Sequence, residues 1–537
     1  MAGAVALVLT LAACGGGSSP PPPAPLPPVP PPVAPLVKIS AASPYNASCN
    51  GTPQSGTLYL NAEVEPYVAV NPADPTNIIA LWQQDRWSSG GAQALRAGAS
   101  FDGGQNWSYS AVAYSACTGN ALYARVSDPW ITFTPNGAAF QIGLSFSGDI
   151  RQAGSSSALL VSRSRDGGLT WNAPVTLLAS GADVFNDKEA ITADPNDTTG
   201  SLVYAVWDQL DSSTHGSTWF SRTTDGGDNW ETARIIYDPG ATQNPKTSQT
   251  IGNQVQVLPS GDVLAFFTQI DGIGTGSSRS SFRMLRSTDH GATWPVASLV
   301  EVIPQELAIG ARDPDTGAMI RDAAALPAVA VSPSGDLYVA FQDARFSGGQ
   351  RDGVLLTVSH DGGLNWSAPV QVNGAPGVQA FVPTVAVRAD GLIGVTYYDQ
   401  RHNTADRSTL PTDYWLALSS NGLSWSDNFI TGPFDMDLAP NANGVFVGDY
   451  QALQAVGDAF MPVFVQTNHD ATGPTDVYTA VIRPSAVMAK SAAQLRPMQA
   501  QTPEPSAEFL MRVQENLDML TGDERQPRAR ASRRSAR

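Results

Sequence analysis

The sequence of 537 residues is poor in charge, in cysteine and in histidine, and each shortage excludes a class of function. Charged residues make up 15% of the chain and the formal net charge is −17, which argues against a nucleic-acid-binding core. With 3 cysteines and 5 histidines, no His/Cys cluster indicates a zinc site. A phosphate-binding loop and a serine-hydrolase elbow are also missing. The many Gly, Pro and Trp residues instead suit a turn-rich β fold.

Long hydrophobic runs are equally scarce. The apolar N-terminal stretch MAGAVALVLTLAAC is too short to span a bilayer, and no Lys or Arg precedes it. Because it ends in Leu-Ala-Ala-Cys14, residues 1–14 resemble a bacterial lipoprotein signal, whose cleavage leaves Cys14 as the lipidated N-terminus. A plain secretory signal peptide is the alternative. The first interpretation predicts a lipid-anchored protein of the bacterial cell envelope, on the periplasmic or surface face of the outer membrane.

Residues 15–35 predict an extended stalk between this signal and the rest of the chain. Residues 15–19 are Gly and Ser, and residues 20–35 are nearly all Pro. Such a segment adopts polyproline II structure and spans roughly 50 Å at about 3.1 Å per residue. A stalk that holds a folded head away from the membrane is favoured over a site for a proline-binding partner.

The cysteines that remain predict one disulfide. If Cys14 carries the lipid, only Cys49 and Cys117 are left, and an exported protein oxidises such a pair. On the chain-entropy model, closing a loop of this length stabilises the fold by about 4 kcal/mol.

One short stretch recurs along the chain, as in SFDGGQNW at 100–107 and SHDGGLNW at 359–366. Its Asp accepts backbone hydrogen bonds in a tight turn, its Gly supplies positive φ, and its Trp buries a large ring. A degraded sixth copy, SSNGLSW, carries Asn421 in the Asp position. The five turn aspartates, which we interpret as structural, are Asp102, Asp166, Asp225, Asp289 and Asp361.

The pattern S/T-x-D-x-G-x-x-W resembles the Asp-box, or bacterial neuraminidase repeat, of the sialidase (neuraminidase) superfamily. This resemblance implies a β-propeller. It implies little about chemistry, because Asp-boxes also occur in propellers without sialidase activity.

The strand pattern predicts an all-β fold, a β-propeller of seven four-stranded blades over residues 36–485, with six blades as the alternative. An alternating apolar strand opens each unit, beginning at Tyr67, Trp130, Ala190, Gln254, Ala328, Thr384 and Gln451. The last unit, 450–482, has only three strands. Residues 34–39 resemble the fourth strand 368–372, so we expect an N-terminal strand to complete the last blade and close the ring.

Residues 486–537 predict a linker, a short helix and an Arg-rich tail. The helix, Ser506 to Leu520, has Phe509, Val513 and Leu517 on one face. The tail is interpreted as solvated disorder, with contact to an anionic envelope glycolipid as the functional alternative.

Functional residues of a propeller are expected just before the first strand or just after the second strand of each unit. The first position holds Glu65, Asp128, Lys188, Glu189, Asp449 and Tyr450. The second holds Arg86, Arg345 and Arg401, each beside an aspartate; Arg321-Asp322 adds another pair. This predicts a mouth with arginines on one side and carboxylates on the other. The alternative is that Asp–Arg pairs cross-link neighbouring blades.

The sialidase resemblance implies an arginine cluster for a substrate carboxylate, a Tyr–Glu nucleophile pair and an Asp acid/base. By topology, the catalytic candidates are Asp128, Glu189 and Tyr450. The substrate-binding candidates are Arg86, Arg345, Arg401, Glu65 and Asp449. The Arg-Ile-Pro motif of sialidases is missing.

The sequence therefore predicts a monomeric envelope protein that recognises acidic glycans and, as an enzyme, would hydrolyse them in the manner of an exo-alpha-sialidase. The alternative is a non-catalytic propeller that serves as a protein- or cation-binding scaffold. No cofactor is expected, unless the acidic residues bind Ca²⁺. Nucleic acid is not an expected partner.

Overall fold

The computed structural model describes residues 28–51, 54–149, 152–212, 214–241, 243–244, 246–469, 473–484 and 506–521. These residues form an all-β structure with a single α-helix, so the predicted fold class is confirmed at that level. The predicted signal sequence, the lipidation site Cys14, most of the stalk, the linker and the Arg-rich tail lie outside the described residues.

The strands group into seven four-stranded antiparallel arrays, named here units 1 to 7 in chain order. Single bridges join units 1 and 2, and units 3 and 4, into two eight-stranded sheets. Unit 1 contains β2 (Glu63–Val70), β3 (Ile78–Arg86), β4 (Ala92–Ser100) and β5 (Ser108–Ala111). Unit 2 contains β6 (Arg125–Phe133), β7 (Ala139–Ser147), β8 (Ser156–Ser164) and β9 (Val175–Ser180). Unit 3 contains β10 (Phe185–Ala193), β11 (Val203–Leu210), β12 (Gly216–Thr223) and β13 (Arg234–Tyr237). Unit 4 contains β14 (Ser248–Val257), β15 (Val263–Asp271), β16 (Arg279–Ser287) and β17 (Val300–Ile303).

The remaining strands complete three further sheets and one short pair. Unit 5 contains β19 (Ala328–Val331), β20 (Leu337–Asp343), β21 (Gly353–Ser359) and β22 (Val370–Gln371). Unit 6 contains β23 (Ala380–Val387), β24 (Ile393–Asp399), β25 (Pro411–Ser419) and β26 (Ser426–Asp435). Unit 7 contains β28 (Ala452–Val456), β29 (Ala459–Thr467), β30 (Thr475–Thr479) and β1 (Val37–Lys38). The strands β18 (Ile320–Arg321) and β27 (Val445–Phe446) pair in parallel.

The N-terminal strand β1 lies in the same sheet as the last strands of the chain. It pairs antiparallel with β30, so that Val37 lies opposite Thr479 and Lys38 opposite Tyr478. Lys38 Nζ also lies 2.6 Å from Asp476 Oδ1 on β30. This pairing joins the two ends of the described sheet region. Closure of all the units into one ring of seven remains a prediction.

The second strand of a unit is buried on both of its faces, because neighbouring units pack against each other. In β3 every residue is buried, including Trp82, and Trp207 occupies a comparable position in β11. Burying a large side chain of this kind contributes roughly 1.5–3 kcal/mol. The apolar runs that predicted these strands in the sequence therefore form the core between units.

The repeated turns are held by their aspartates. Asp102 Oδ1 accepts hydrogen bonds from the backbone N of Gln105 at 2.9 Å and of Asn106 at 3.0 Å, and Oδ2 accepts one from Asn106 Nδ2 at 2.7 Å. These donors lower the pKa of Asp102 to about 2. In the degraded copy, Asn421 Oδ1 accepts from the N of Leu423 and Ser424. The local hydrogen bonds explain why this residue type recurs.

The helix α1 (Ala507–Thr521) lies close to its predicted position. Ser506 Oγ accepts a hydrogen bond from Phe509 N at 3.2 Å, as an N-cap does. The side chains of Phe509, Val513 and Leu517 are buried in a cluster with Ile251, Ile270, Ile273, Leu307 and Ile309. Among the described helices, none has the length and apolarity that crossing a membrane requires.

Cys49 and Cys117 are joined by a disulfide, with their Cα atoms 4.8 Å apart. Cys49 precedes β2 and Cys117 follows β5, so the bridge ties the entry of unit 1 to its exit.

Candidate functional site

A left-handed residue interrupts the first strand of most units at an equivalent place. The pairing between first and second strands shifts register at Val64/Tyr67, Ser127/Trp130 and Asp187/Ala190. The residues at these bulges have positive φ, 50° at Glu65, 53° at Asp128 and 47° at Lys188. Unit 4 places Gly252 there and unit 6 places Val382.

A side chain other than Gly in this conformation costs on the order of 1–3 kcal/mol. Such bulges concentrate near active sites, where they redirect a side chain. Three charged residues occupy strained positions that Gly fills without strain in unit 4, so these bulges define a candidate site.

The charged side chains meet in one buried cluster. Lys188 Nζ lies 2.7 Å from Asp128 Oδ1, 2.6 Å from Asp449 Oδ2 and 3.8 Å from Glu65 Oε1. Arg321 binds the same Asp449 with two hydrogen bonds, Nε to Oδ1 at 3.0 Å and Nη2 to Oδ2 at 2.7 Å. Units 1, 2 and 3 and the segments before units 5 and 7 each contribute a residue. The sequence prediction that Glu65, Asp128 and Asp449 are neighbours agrees with this geometry.

Burial and pairing set opposite protonation states in the cluster. Burial raises the pKa of Glu65 to about 8, and the charge of Asp128 adds to the effect. Burial also favours a higher pKa for Asp449, but the charges of Arg321 and Lys188 outweigh burial and hold this pKa well below its usual range. Burial favours a lower pKa for Lys188, but the charges of Asp128 and Asp449 outweigh burial and hold this pKa well above its usual range. The raised pKa of Glu65 therefore favours its protonated form, while the lowered pKa of Asp449 and the raised pKa of Lys188 favour an ion pair between these two residues.

The cluster borders a cavity of about 430 Å³ to which the first strands of all seven units contribute. One wall is aromatic: Tyr67 and Trp130 stack with ring centroids 3.7 Å apart, and Tyr450 meets Trp130 edge-on at 5.5 Å. The Tyr450 hydroxyl donates a hydrogen bond to Pro129 O at 3.2 Å. The walls from units 5 and 6 carry small residues, including Ala328 and Ala330.

The predicted substrate arginines are held elsewhere, which corrects the expected arginine side of the mouth. Arg345 binds Asp343 in its own unit at 2.7 Å and donates to Gln305 O at 2.9 Å. Arg401 binds Asp399 and Asp427, also in its own unit, and its guanidinium lies 3.7 Å from the centroid of the Trp415 ring.

Arg86 is the predicted arginine that comes nearest to the cluster. Its Nη1 donates to Gln83 Oε1 at 2.8 Å, and its guanidinium lies 4.8 Å from the Phe446 ring centroid. Arg321 lies 4.5 Å from the same centroid. None of Arg86, Arg345 and Arg401 is among the described residues that line the cavity. The reason is that each guanidinium has partners on or near its own strand.

The catalytic candidates separate into two groups. Asp128 and Tyr450 line the cavity, in contact with the charged cluster and the aromatic wall respectively. Glu189 also borders the cavity, but it is only 2% exposed and neither carboxyl oxygen has a hydrogen-bond partner among the described residues. Burial, followed by the charge of Asp128, raises its pKa well above the usual range. Glu189 is therefore a buried acid and not a member of the hydrogen-bonded cluster.

Lys188 and Arg321 are the two cluster residues whose role the sequence analysis missed. The sequence shows Lys188 and Arg321 at positions where functional residues are expected, but the catalytic and substrate-binding candidates include neither. The signal for Lys188 was its place just before a first strand. Arg321 reaches Asp449 because β18 pairs with the distant strand β27, and no local pattern announces such a contact.

The oxygens of Glu65, Asp128 and Asp449 lie within 4.8 Å of one another, a spacing that suits a metal ion. The Lys188 ammonium already approaches all three carboxylates. Because a divalent cation would have to displace it, the donor set fits an internal ammonium better than Ca²⁺.

No protein-family model matches the chain, and no curated protein matches it. Among solved structures, it is similar to an alpha-L-arabinanase of Penicillium chrysogenum, with 14% identity over 80% of this chain and 99% of that one and a TM-score of 0.42. A variant of the NanB sialidase from Streptococcus pneumoniae is 12% identical over 81% and 71%, with a TM-score of 0.39. A protein of unknown function from Dyadobacter fermentans is 14% identical over 68% and 96%, at 0.42. Likenesses at this level do not transfer an activity.

Proposed function

We propose that this protein is an exported lipoprotein that recognises glycans at the cell envelope, and that its seven units are the blades of one closed propeller of the sialidase-like type. The observation that carries the proposal is the cavity shared by all seven first strands, with an aromatic wall beside a buried charged cluster. All seven units contribute to this site, and three of its residues have a strained backbone. Such a site is expected to bind a ligand.

The two sides of the cavity match the two kinds of surface on a sugar. A pyranose or furanose ring offers C–H groups that pack on an aromatic face, as the stacked pair Tyr67 and Trp130 provides. Its hydroxyls need polar partners, which Asp128, Asp449 and Lys188 place at the end of the same wall. Glycan recognition uses both features together.

Hydrolysis of the exo-alpha-sialidase type is the second candidate, because Asp128 and Tyr450 both border the cavity. Glycoside hydrolysis needs a proton donor and a nucleophile on the two sides of the scissile bond. Asp128 is engaged by Lys188, and burial holds the pKa of Tyr450 well above its usual range, which makes the phenolate costly. Binding without turnover is therefore favoured.

A glycan array with the full-length mature protein tests recognition, and fluorogenic glycosides test hydrolysis. Trp130→Ala is expected to abolish glycan binding, because it removes the aromatic wall. Leu364→Ala is the control: Leu364 lies in a repeated turn and is 61% exposed. An array without any signal would reject the proposal in favour of a protein- or cation-binding scaffold. Turnover that disappears in Tyr450→Phe would establish the second candidate.

The lipid anchor is proposed from the sequence alone. Metabolic labelling with radioactive palmitate should mark the wild-type protein and leave Cys14→Ser unlabelled. Secretion of an unlabelled wild-type protein would favour the plain signal peptide.

A further inference from the structure

We propose that the ligand of this cavity is an uncharged sugar and that sugars with a carboxylate or sulfate group are excluded. This inference depends on the proposed glycan recognition and names the class of its ligand. It departs from the acidic glycan that the sequence predicts.

The side chains around the cavity have an excess of acids. Among the described residues that line it, Lys188 is the sole cation. Four acids border the same space, Asp128, Glu189, Asp322 and Asp449. A ligand carboxylate would enter a region where carboxyl groups outnumber the available ammonium, in a chain whose formal net charge is −17. Like charges at such a site oppose binding of an anion.

The cations near the cavity are already occupied. Lys188 is held between Asp128 and Asp449 at 2.7 and 2.6 Å, and Arg321 binds both oxygens of Asp449. An anionic ligand would have to take one of these cations from its carboxylate. That exchange leaves a buried aspartate without its partner. An unpaired charge costs far more free energy when it is buried than when it is exposed. The cluster therefore gives a ligand carboxylate no net gain in binding free energy.

The other predicted anion contacts are also occupied. Arg345 is a bidentate partner of Asp343, Arg401 pairs with both Asp399 and Asp427, and neither arginine lines the cavity. A sialidase-like clamp on a carboxylate needs guanidinium groups that face the ligand. The guanidinium groups of Arg345 and Arg401 face protein carboxylates instead.

Hydroxyl groups do find suitable partners at the cavity. Asp322 borders it, and Asp322 Oδ2 accepts hydrogen bonds from Ala311 N at 2.7 Å and Gln342 Nε2 at 2.8 Å. Asp322 Oδ1 is buried and makes no hydrogen bond to the described residues. A ligand O–H that reaches this oxygen can donate to it, whereas a carboxylate or sulfate group has no proton to donate. The volume of about 430 Å³ falls within the range of roughly 300–1,000 Å³ usual for small-molecule sites.

The test compares matched neutral and acidic sugars on the full-length mature protein. A neutral glycan is chosen from the array, and isothermal titration compares it with its sialylated, uronic and sulfated counterparts. We expect the neutral glycan to bind at least about tenfold more tightly than each counterpart. Trp130→Ala and Ala330→Phe should each weaken neutral binding at least about tenfold, the first by removing the stacking wall and the second by filling the cavity from the small-residue side. Leu364→Ala should bind as the wild type does.

The outcomes separate the inference from the function on which it depends. Equal or tighter binding of the acidic counterparts would overturn the inference and leave glycan recognition intact. Absence of binding to every glycan would overturn both. Neutral binding that survives Ala330→Phe in a folded protein would place the ligand outside this cavity and would also overturn the inference.

Discussion

The repeated turns and the charged cluster use the same residue type, aspartate, in opposite ways. In the turns, Asp225 is exposed and accepts hydrogen bonds from Asn229 N at 2.9 Å and Asn229 Nδ2 at 2.8 Å, within its own turn. In the cluster, Asp449 is buried and its partners Lys188 and Arg321 come from distant parts of the chain. A turn aspartate thus serves local structure, whereas a cluster aspartate holds together units that are far apart in sequence.

The difference predicts that the largest loss of stability follows Asp449→Ala. Removing this carboxylate leaves Lys188 and Arg321, whose side chains are only 10% and 15% exposed, as cations that have lost a partner, which costs about 3–5 kcal/mol. The measurement is the free energy of unfolding in urea at pH 7.

Asp390→Ala is the matched control for this experiment. Arg388 binds Asp390 with nearly the same two-bond geometry, at 3.1 and 2.6 Å, but the Asp390 side chain is 58% exposed and that of Asp449 is 3% exposed. A loss below about 1 kcal/mol is expected there. Equal losses in the two variants would show that burial does not distinguish them.

The second largest effect is expected from α1, which packs against residues of unit 4 and of the segment 304–327. Phe509→Ala removes a buried ring from the cluster around Ile270 and Leu307 and should cost about 3 kcal/mol. Leu510→Ala, at an adjacent residue that is 44% exposed, should change stability by less than about 0.5 kcal/mol. Thermal unfolding compares the two.

The helix α1 contacts the segment 304–327, which carries Arg321, because Asn516 Nδ2 donates a hydrogen bond to Ala308 O. We therefore also expect Phe509→Ala, which weakens the packing of α1, to weaken glycan binding. Unchanged binding in a destabilised Phe509→Ala would limit α1 to a structural role.

The third effect tests burial by pH at Glu306, a buried acid of the segment 304–327. Burial raises the pKa of Glu306 from 4.5 to about 8. Between these values the unfolded chain releases the proton while the folded protein keeps it, so the stability contributed by this group falls as pH rises from about 4.5 to 8. Glu306→Gln should remove that loss. Relative to wild type, its unfolding free energy is expected to rise by about 4 kcal/mol between pH 4.5 and pH 8. Parallel stability curves for the two proteins would contradict the raised pKa.

The turn aspartates should respond to pH in the opposite sense and more weakly. Turn hydrogen bonds lower the pKa of Asp225 from 3.8 to about 2. Its stabilisation is therefore complete above about 3.8 and is lost as pH falls towards 2. Asp225→Asn is expected to have a small effect at pH 7, because Asn421 holds the sixth turn with Oδ1. Circular dichroism against pH should show a shallower acid transition in the variant. A large loss at neutral pH would mean that the turn charge has a role beyond these hydrogen bonds.

Much of the local structure could be predicted from the sequence, because its causes lie within a few residues. Alternating apolar strands and the turns around Asp102 and its equivalents led to the all-β class. The predicted strand starts Tyr67, Trp130 and Ala190 are the residues at which pairing resumes after a bulge. The strands themselves begin earlier, at Glu63, Arg125 and Phe185. The apolar face of Phe509, Val513 and Leu517 led to α1, because a period of 3.6 residues is a property of the helix itself.

The tertiary structure decided the candidate site. A left-handed φ at Glu65, Asp128 and Lys188 aims their side chains, and nothing in the residue types specifies it. The parallel pairing of β18 with β27 brings Arg321 to Asp449, while Arg345 and Arg401, chosen for equivalent positions, are held by aspartates of their own units. Turn formation depends on short-range hydrogen bonds that a sequence displays. Charge pairing in a buried cluster depends on which distant segments meet, and that is settled only when the units pack together.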